Sequence, residues 1–392
     1  MRRNRYYLHL ITVCISLNIG LILGILIAWG TTVTTVNSKE VKNDFLFSNA
    51  LQNDSPEISS IQFNSNCYVY NTLSTEEKYV YNEIYYTIMY HLKNYELSTL
   101  DETLVENAFK AVAADHGEIF WENGYYLTSH SANATVYLLE FTPKYTYTLK
   151  EREKIQQQID DVVAPILEAI PMKSSDYDKA KYVFDWLSTH VDYQLGVPDD
   201  QNIISVFLYG KTVCQGYANA TQYLLSKLGI QCCVVTGKAN YQAHSWNLVK
   251  LDGDYYYLDS TLSSAIYKSK EGEQKQFVNY NYFAITTQEL LTTHTPNYYF
   301  PLPECTAIKD NYFYKEGMYF STWNPALLGG YIVGGYEQGN CLTAFKFASE
   351  ELYEKAKRFF IAEQNTAYYC PGLTEQSYLA DDKHYILTFH FE

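Results

Sequence analysis

One cysteine stands where a thiol can act as a nucleophile. Cys214 occurs in the segment TVCQGYA at 212–218, and Gly229 lies where a left-handed helix C-cap belongs. Between them, apolar side chains recur at the spacing of one helical face, namely Tyr217, Leu224, Leu225 and Leu228. The pattern predicts that Cys214 begins a helix, where the positive end of the dipole favours a thiolate and free backbone N–H groups can stabilise an oxyanion. This chemistry suits attack on a carbonyl carbon.

A histidine and an aspartate downstream can supply the base and the group that orients it. His244 and Trp246 fall on one face of an alternating segment that reads as a strand. Asp-Gly at 252–253 is a strong signal for a two-residue hairpin, and that turn places Asp259 opposite Trp246 and diagonal to His244. Diagonal neighbours are about 7–8 Å apart at the backbone, within reach of a histidine–carboxylate hydrogen bond. The hairpin therefore predicts that Asp259 orients His244, which serves Cys214 as base.

Each of these residues also has an ordinary structural explanation. Cys214 alone fits a small buried residue at a helix start, His244 a packed or surface histidine, and Asp259 a turn residue. Their joint arrangement favours a Cys–His–Asp catalytic site. Gln215, which follows the nucleophile, and Trp246 are predicted to contribute to substrate and oxyanion binding, with a packed aromatic as the alternative for Trp246.

Three sequence blocks carry a resemblance to a known family. The blocks VCQGYA at 213–218, HSWN at 244–247 and YLDST at 257–261 resemble, in order and spacing, the signature blocks of the transglutaminase-like superfamily in its short bacterial form. HVDY at 190–193 resembles the family's lead-in strand. One departure is Ser245, where the family commonly has alanine. The longer stretch 75–392 resembles a multidomain layout of exported proteins of Gram-positive bacteria.

The resemblance implies a fold and a reaction class. The fold is papain-like, with a helix that carries the nucleophile Cys214 packed on an antiparallel sheet that carries His244 and Asp259. The implied reaction is acyl transfer or hydrolysis on protein or peptide amides, cell-wall peptides among them, by cross-linking, deamidation or proteolysis. The alternative is an inactive module of this family that binds ligands at the cell surface through a tyrosine-rich face.

Composition narrows the classes of protein and partner that remain. Hydrophobic residues make up 47% of the 392 residues and charged residues 19%, so most of the chain is expected to be globular. The formal net charge of -15 argues against a nucleic-acid partner, because neutralising phosphates needs a surplus of Lys and Arg. Seven of the eight cysteines follow residue 30, and the adjacent Cys232 and Cys233 fit no metal-ligand spacing. We expect no metal and no cofactor, and some disulfides are plausible in an oxidising compartment.

The N-terminus predicts membrane attachment. Arg2, Arg3 and Arg5 precede an apolar run over about 7–29, long enough for one transmembrane helix. The cationic flank predicts a single-pass protein of the cell membrane with residues 31–392 extracytoplasmic. A cleaved signal peptide ending near Ala28 and a secreted product form the alternative.

The positions of turn and loop residues along the chain predict an α+β protein in several parts. Residues 1–30 form the tip and anchor, 31–72 a linker, 73–148 an N-terminal α+β region, 149–300 the transglutaminase-like domain and 301–392 a C-terminal α+β domain. Helices are predicted near 101–115, 149–169, 176–190 and 349–361, and strands within 119–148, 312–320, 341–347 and 384–391.

Overall fold

The computed structural model describes residues 32–37, 66–268, 274–337, 342–370 and 376–391. The predicted membrane segment at 7–29 lies outside these ranges. Among the helices of the described part, none combines the length and apolar character needed to cross a membrane.

The N-terminal part consists of three helices and a four-stranded sheet. Its helices are α1 Tyr68–Thr72, α2 Thr75–Met89 and α3 Glu102–Asp115, and its strands are β1 Thr32–Asn37, β2 Tyr95–Glu96, β3 Glu122–Ala132 and β4 Thr135–Tyr145. The strands follow the order β1-β3-β4-β2, with β3 and β4 antiparallel and β1 parallel to β3. Ser74 and Glu77 form a capping box at the start of α2. Both β1 and α1 fall inside the range predicted as a linker.

The central part carries the predicted chemistry. Its helices are α4 Leu149–Glu168, α5 Asp176–His190, α6 Cys214–Lys227 and α7 Thr287–Leu290, and its strands are β5 Asp192–Tyr193, β6 Lys211–Thr212, β7 Cys232–Ala239, β8 Gln242–Leu251, β9 Asp254–Leu258, β10 Ser264–Lys268, β11 Gln274–Val278 and β12 His294–Pro296. The main sheet has the order β12-β7-β8-β9, and its neighbouring strands are antiparallel. Helix α6 lies against β7 and β8, and its predicted apolar face is buried at Tyr217, Leu224 and Leu225.

The β8–β9 hairpin has the predicted register. Leu251 pairs with Asp254 and Asn247 with Leu258, across a turn in which Asp252 and Gly253 have φ of 45° and 103°. Both values are left-handed, which is the conformation that a two-residue turn between twisted strands requires. The turn therefore fixes where each later residue of β9 stands relative to β8.

The C-terminal part has its own apolar core. It consists of α8 Tyr312–Lys315, β13 Tyr319–Phe320, α9 Pro325–Glu337, β14 Leu342–Phe347, α10 Glu350–Ala356, α11 Thr366–Tyr369, β15 Gln376–Asp381 and β16 Ile386–Phe391. Its sheet has the order β13-β14-β16-β15. Buried side chains such as Phe345, Phe360 and Phe389 fill the space between sheet and helices. Mixed helices and sheets throughout the described part confirm the α+β class.

One local prediction in this part is wrong, and a second is confirmed with a change of helix type. Residues 312–320 were expected as one strand, but the segment starts as helix α8 because the Asn311 side chain accepts the Phe313 N–H and caps it. The strand is confined to Tyr319–Phe320. The helix expected at 349–361 ends its regular α-helical part at Ala356 and continues as a π-helical turn over Lys357–Ala362.

Candidate active site

Cys214 is the first residue of α6, and that helix begins without a side-chain cap. Its N-cap residue, Val213, is extended and offers no side-chain acceptor. The Tyr217 N–H bonds back to the helix start, at the Val213 carbonyl, over 3.1 Å. The N–H groups of Cys214, Gln215 and Gly216 therefore have no acceptor within the helix. An uncapped helix start beside a partly exposed thiol suits an oxyanion site.

A loop carbonyl fixes the point at which the helix starts. The Asp200 carbonyl accepts the Val213 N–H at 3.2 Å and the Thr212 hydroxyl at 2.8 Å. These bonds hold the end of β6 against the 199–201 loop. They therefore fix the direction of the backbone at the first residue of α6. Thr212 also leaves room for only a hydrogen atom on Gly216, because a Cβ built there would lie 1.9 Å from the Thr212 Oγ1.

Gly216→Ala is therefore expected to destabilise the protein, although alanine normally stabilises a helix by about 1 kcal/mol over glycine. The added methyl group must push the first turn of α6 away from Thr212, at a cost of about 1–3 kcal/mol typical of overpacking. Because the same turn carries Cys214, we also expect kcat to fall by about 10²-fold. Denaturant unfolding and steady-state kinetics measure the two effects.

The matched control is Gly330→Ala in α9, where a Cβ would meet no atom within 4 Å. We expect this exposed substitution to be neutral or stabilising. Equal stability of the Gly216→Ala and Gly330→Ala proteins would contradict the steric argument.

The end of the β8–β9 hairpin brings His244 and Asp259 together. The His244 Nε2 lies 2.7 Å from the Asp259 Oδ2. The Thr261 N–H donates to the other carboxylate oxygen at 3.0 Å, and the Asp259 N–H donates to the Tyr282 carbonyl at 3.0 Å. The Asp259 side chain is 1% exposed and that of His244 11%. A buried carboxylate thus holds the ring at the site's edge, as the hairpin register predicts.

Cys214 and Asp259 both raise the pKa of His244. Burial lowers the pKa of His244, but the charge and hydrogen bond of Asp259, followed by the hydrogen bond and charge of Cys214, outweigh it and raise the pKa to about 10. Because Nε2 is bonded to Asp259, Nδ1 is the nitrogen left for the sulfur. Burial alone would raise the pKa of Asp259, but His244 and then His294 hold it well below its usual range. The structure thus joins His244 to Asp259 and leaves Cys214 near enough to influence the pKa of His244.

A second histidine reaches the same carboxylate, and the sequence analysis did not identify it. His294 begins β12, where it pairs with Ala239 of β7, and its side chain is fully buried. Its Nε2 lies 3.2 Å from the Asp259 Oδ2, and its Nδ1 lies 2.8 Å from the Thr293 hydroxyl. A lone histidine in a run of threonines gives no periodic signal, so only the tertiary fold reveals this contact.

These groups also have the composition of a metal site. One ligand atom each from His244, Asp259 and His294 lies within 4.8 Å of the others. Ligands of a tetrahedral zinc ion at about 2.0–2.1 Å are roughly 3.3 Å apart. The His244–Asp259 separation of 2.7 Å is a hydrogen-bond distance and shorter than the spacing of two ligands of a tetrahedral ion. The geometry therefore favours a hydrogen-bonded group.

Side chains of Gln215 and of the HSWN segment at 244–247 form hydrogen bonds that hold α6 against the sheet. The Ser245 hydroxyl donates to the Gln215 Oε1 at 2.7 Å, and the Gln215 Nε2 donates to the Asn219 side chain at 2.9 Å. The Asn247 Nδ2 donates to the Ala218 carbonyl at 2.9 Å. Gln215 therefore has a fixed side chain beside the nucleophile, and its predicted part in substrate or oxyanion binding stays a prediction.

Trp246 lies beneath the histidines. It is fully buried, with ring centroids 6.1 Å from His244 and 4.9 Å from His294. This position corresponds to the packed aromatic that the sequence analysis gave as the alternative. A direct contact between Trp246 and substrate stays a prediction.

Cys214 differs from the other described cysteines in its exposure. All cysteines in the described ranges are free thiols, so the plausible disulfides are not found there. Burial raises the pKa of the others, which are Cys67, Cys232, Cys233, Cys305 and Cys370. Cys214 is partly exposed and adjoins His244. A thiol reagent is therefore expected to reach Cys214 first.

Comparison with known proteins identifies the domain that contains these residues. Residues 167–260 match the family model described as the transglutaminase-like superfamily. The matched range includes Cys214, His244 and Asp259. It confirms the predicted resemblance to this superfamily over residues 167–260, where helix α6 packs against the antiparallel strands β7 and β8.

Individual relatives are distant and longer. The kyphoscoliosis peptidase of Homo sapiens is 22% identical over 156 residues, which cover 36% of this chain and 23% of that protein. The kyphoscoliosis peptidase of Mus musculus is 22% identical over 160 residues, with coverage of 36% and 24%. The chain thus matches about a quarter of the length of these curated relatives. A solved structure of a TGase is 19% identical over 36% of this chain and 44% of its own, with a TM-score of 0.25.

Proposed function

We propose that the transglutaminase-like domain transfers acyl groups from protein or peptide amides, with Cys214 as nucleophile, His244 as acid and base, and Asp259 as the group that orients His244. One observation carries the proposal: the His244 imidazole lies 2.7 Å from the Asp259 carboxylate, and the neighbouring Cys214, at a helix start that lacks a cap, helps to raise the pKa of that imidazole. Nucleophile, base and oxyanion donors thereby adjoin one another, which is the requirement for covalent acyl transfer.

The chemical steps follow from these positions. His244 takes the thiol proton of Cys214, and the thiolate attacks the amide carbonyl carbon, whose oxygen is stabilised by N–H groups at the start of α6. His244 then gives its proton to the departing nitrogen as the C–N bond breaks, which leaves a thioester on Cys214. An amine or water attacks the thioester, loses its proton to His244 and releases the thiolate.

The acceptor in the last step decides the biological outcome. An amine gives cross-linking, and water gives deamidation or proteolysis. The curated relatives are named as peptidases, which supports water as one acceptor. We further propose that the apolar run at 7–29 anchors the chain in the cell membrane and that residues 31–392 act on the extracytoplasmic side, since Arg2, Arg3 and Arg5 flank that run.

The test uses the purified full-length chain with a glutamine-containing protein and a labelled primary amine. Transfer to the amine is expected to give released ammonia with incorporated amine, deamidation released ammonia without it, and proteolysis new N-termini without ammonia, and we expect prior treatment with iodoacetamide to abolish every product. Cys305→Ala is the control, because its thiol is buried with a pKa raised by that burial to about 12. Absence of product, together with labelling of Cys214 no faster than the buried thiols, would support the ligand-binding module instead.

A further inference from the structure

His294 contributes a second hydrogen bond to the carboxylate that orients His244. Its Nε2 and that of His244 lie 3.2 Å and 2.7 Å from the same Asp259 oxygen. The third donor, the Thr261 N–H, reaches the other oxygen. With contacts at both oxygens, the plane of the carboxylate is fixed, and so is the direction in which Asp259 meets His244.

A chain of hydroxyl groups ends at the Nδ1 of His294. The Tyr282 hydroxyl donates to the Thr293 Oγ1 at 3.3 Å, and the Thr293 hydroxyl lies 2.8 Å from the His294 Nδ1. If Thr293 donates its proton to Nδ1, the ring proton is on Nε2 and points at Asp259. The Thr293 Oγ1 also lies 3.4 Å from the Leu290 carbonyl, but the contact with His294 is the shorter.

Aromatic rings enclose His294 on several sides. Trp246 meets it edge to face at a centroid distance of 4.9 Å and Tyr282 at 5.4 Å, while the His244 ring is 5.5 Å away. The β12–β7 pairing fixes its backbone through Ala239. A fully buried ring with this much packing has one orientation, which makes it a rigid donor.

We propose that His294 is a positioning residue for the acyl-transfer site: it donates from Nε2 to Asp259 and thereby fixes the carboxylate that aims His244 at Cys214. This inference rests on the function proposed above. The effect of His294 on turnover passes through its hydrogen bond to Asp259.

The first test compares His294→Phe with His294→Gln in the full-length chain. Phenylalanine keeps a ring in the aromatic enclosure but has no donor, so we expect kcat to fall about tenfold, as for other groups that orient a catalytic ligand, with KM changed less than twofold. Glutamine carries an amide nitrogen near the position of Nε2 and is expected to restore most of kcat. Equal losses in the two variants would overturn the donor role, since a packing defect alone predicts no rescue.

A second variant keeps the proposal testable if His294→Phe does not fold. Thr293→Val retains His294 and the side-chain shape but removes the hydroxyl that selects the tautomer. We expect kcat to fall about threefold with unchanged KM, because part of the His294 population then carries its proton on Nδ1. An unchanged kcat in Thr293→Val would contradict the tautomer argument. His116→Phe, which removes a buried histidine paired with Glu118, controls for the loss of any buried histidine–carboxylate bond.

Failure of this proposal and failure of the acyl-transfer function give different results. If the wild-type chain forms no product that depends on Cys214, the function fails, and the rate of Cys214 alkylation by iodoacetamide then tests the positioning alone. We expect His294→Phe to slow that alkylation severalfold near neutral pH relative to wild type and His116→Phe. If the wild type is active and His294→Phe matches it in both kcat and alkylation rate, only the positioning role is overturned.

Discussion

Asp259→Asn is expected to lower kcat/KM by about 10⁴-fold, the loss associated with a wrong imidazole tautomer in a catalytic triad. Three N–H donors converge on Asp259, from Thr261, His244 and His294. A carboxamide has one oxygen and one NH₂ group, so it cannot accept from both sides. If its NH₂ faces the histidines, His244 must accept at Nε2 and carry its proton on Nδ1, where it can no longer take the proton of Cys214.

The same substitution is expected to move the alkaline limb of the pH–rate profile to lower pH. Asp259 and Cys214 together raise the pKa of the buried His244 to about 10, so His244 keeps its proton up to that pH in the wild type. Without the carboxylate charge, burial lowers the pKa of His244, and the imidazolium that protonates the leaving group is lost at lower pH. Initial rates between pH 5 and 11 measure both the fall in kcat/KM and the shift of the alkaline limb.

Asp310→Asn is the matched control. Asp310 is also 1% exposed, and its partners are Lys315 and the Tyr256 hydroxyl, outside the candidate site. We expect this variant to lose stability but to keep the wild-type alkaline limb. A parallel loss of activity with no pH shift in both variants would show that Asp259 has a structural role only.

The sequence predicted the parts of the site that depend on local rules. The Asp-Gly turn at 252–253 specifies one hairpin register, so the position of Asp259 relative to His244 follows by counting. Apolar periodicity and Gly229 likewise predicted α6, and Gly229 has the expected left-handed φ of 79°. Capped helices were predicted closely, for example α4 at Leu149–Glu168 against 149–169.

Features set by tertiary contacts escaped the sequence analysis. His294 lies in the short edge strand β12, 35 residues from Asp259 along the chain, and the strand is too short for an alternating pattern. Helix α9 was missed because its glycine pairs lower helix propensity, although Leu328 and Ile332 are buried against the C-terminal sheet. Helix α6 departs from the local rule that a helix begins at a capping side chain, because valine is a poor N-cap residue. This departure lies directly before the proposed nucleophile, and such departures are expected at functional sites.

Cys214→Ala and His244→Ala are each expected to lower turnover by on the order of 10⁶-fold, and the double variant is expected to fall no further. The thiol and the imidazole act as one unit, because His244 both takes the Cys214 proton and returns it to the leaving nitrogen. Removing either group leaves only binding and the oxyanion donors at the start of α6, which the two variants share. Single-turnover formation of product from the amide substrate, followed over hours, gives the rates of all four proteins.

A multiplicative loss in the double variant would contradict this coupling, because it would mean that Cys214 and His244 contribute to different steps or to different sites. A tenfold or smaller loss in His244→Ala would place the base elsewhere. The thiol reagent separates the two cases: if His244 activates Cys214, alkylation of Cys214 near neutral pH must slow in His244→Ala as turnover does, whereas the buried Cys305 reacts slowly in every variant. A shared residual rate in the single and double variants, with matching loss of thiol reactivity, therefore requires the sulfur and the ring to act together in one acyl-transfer step.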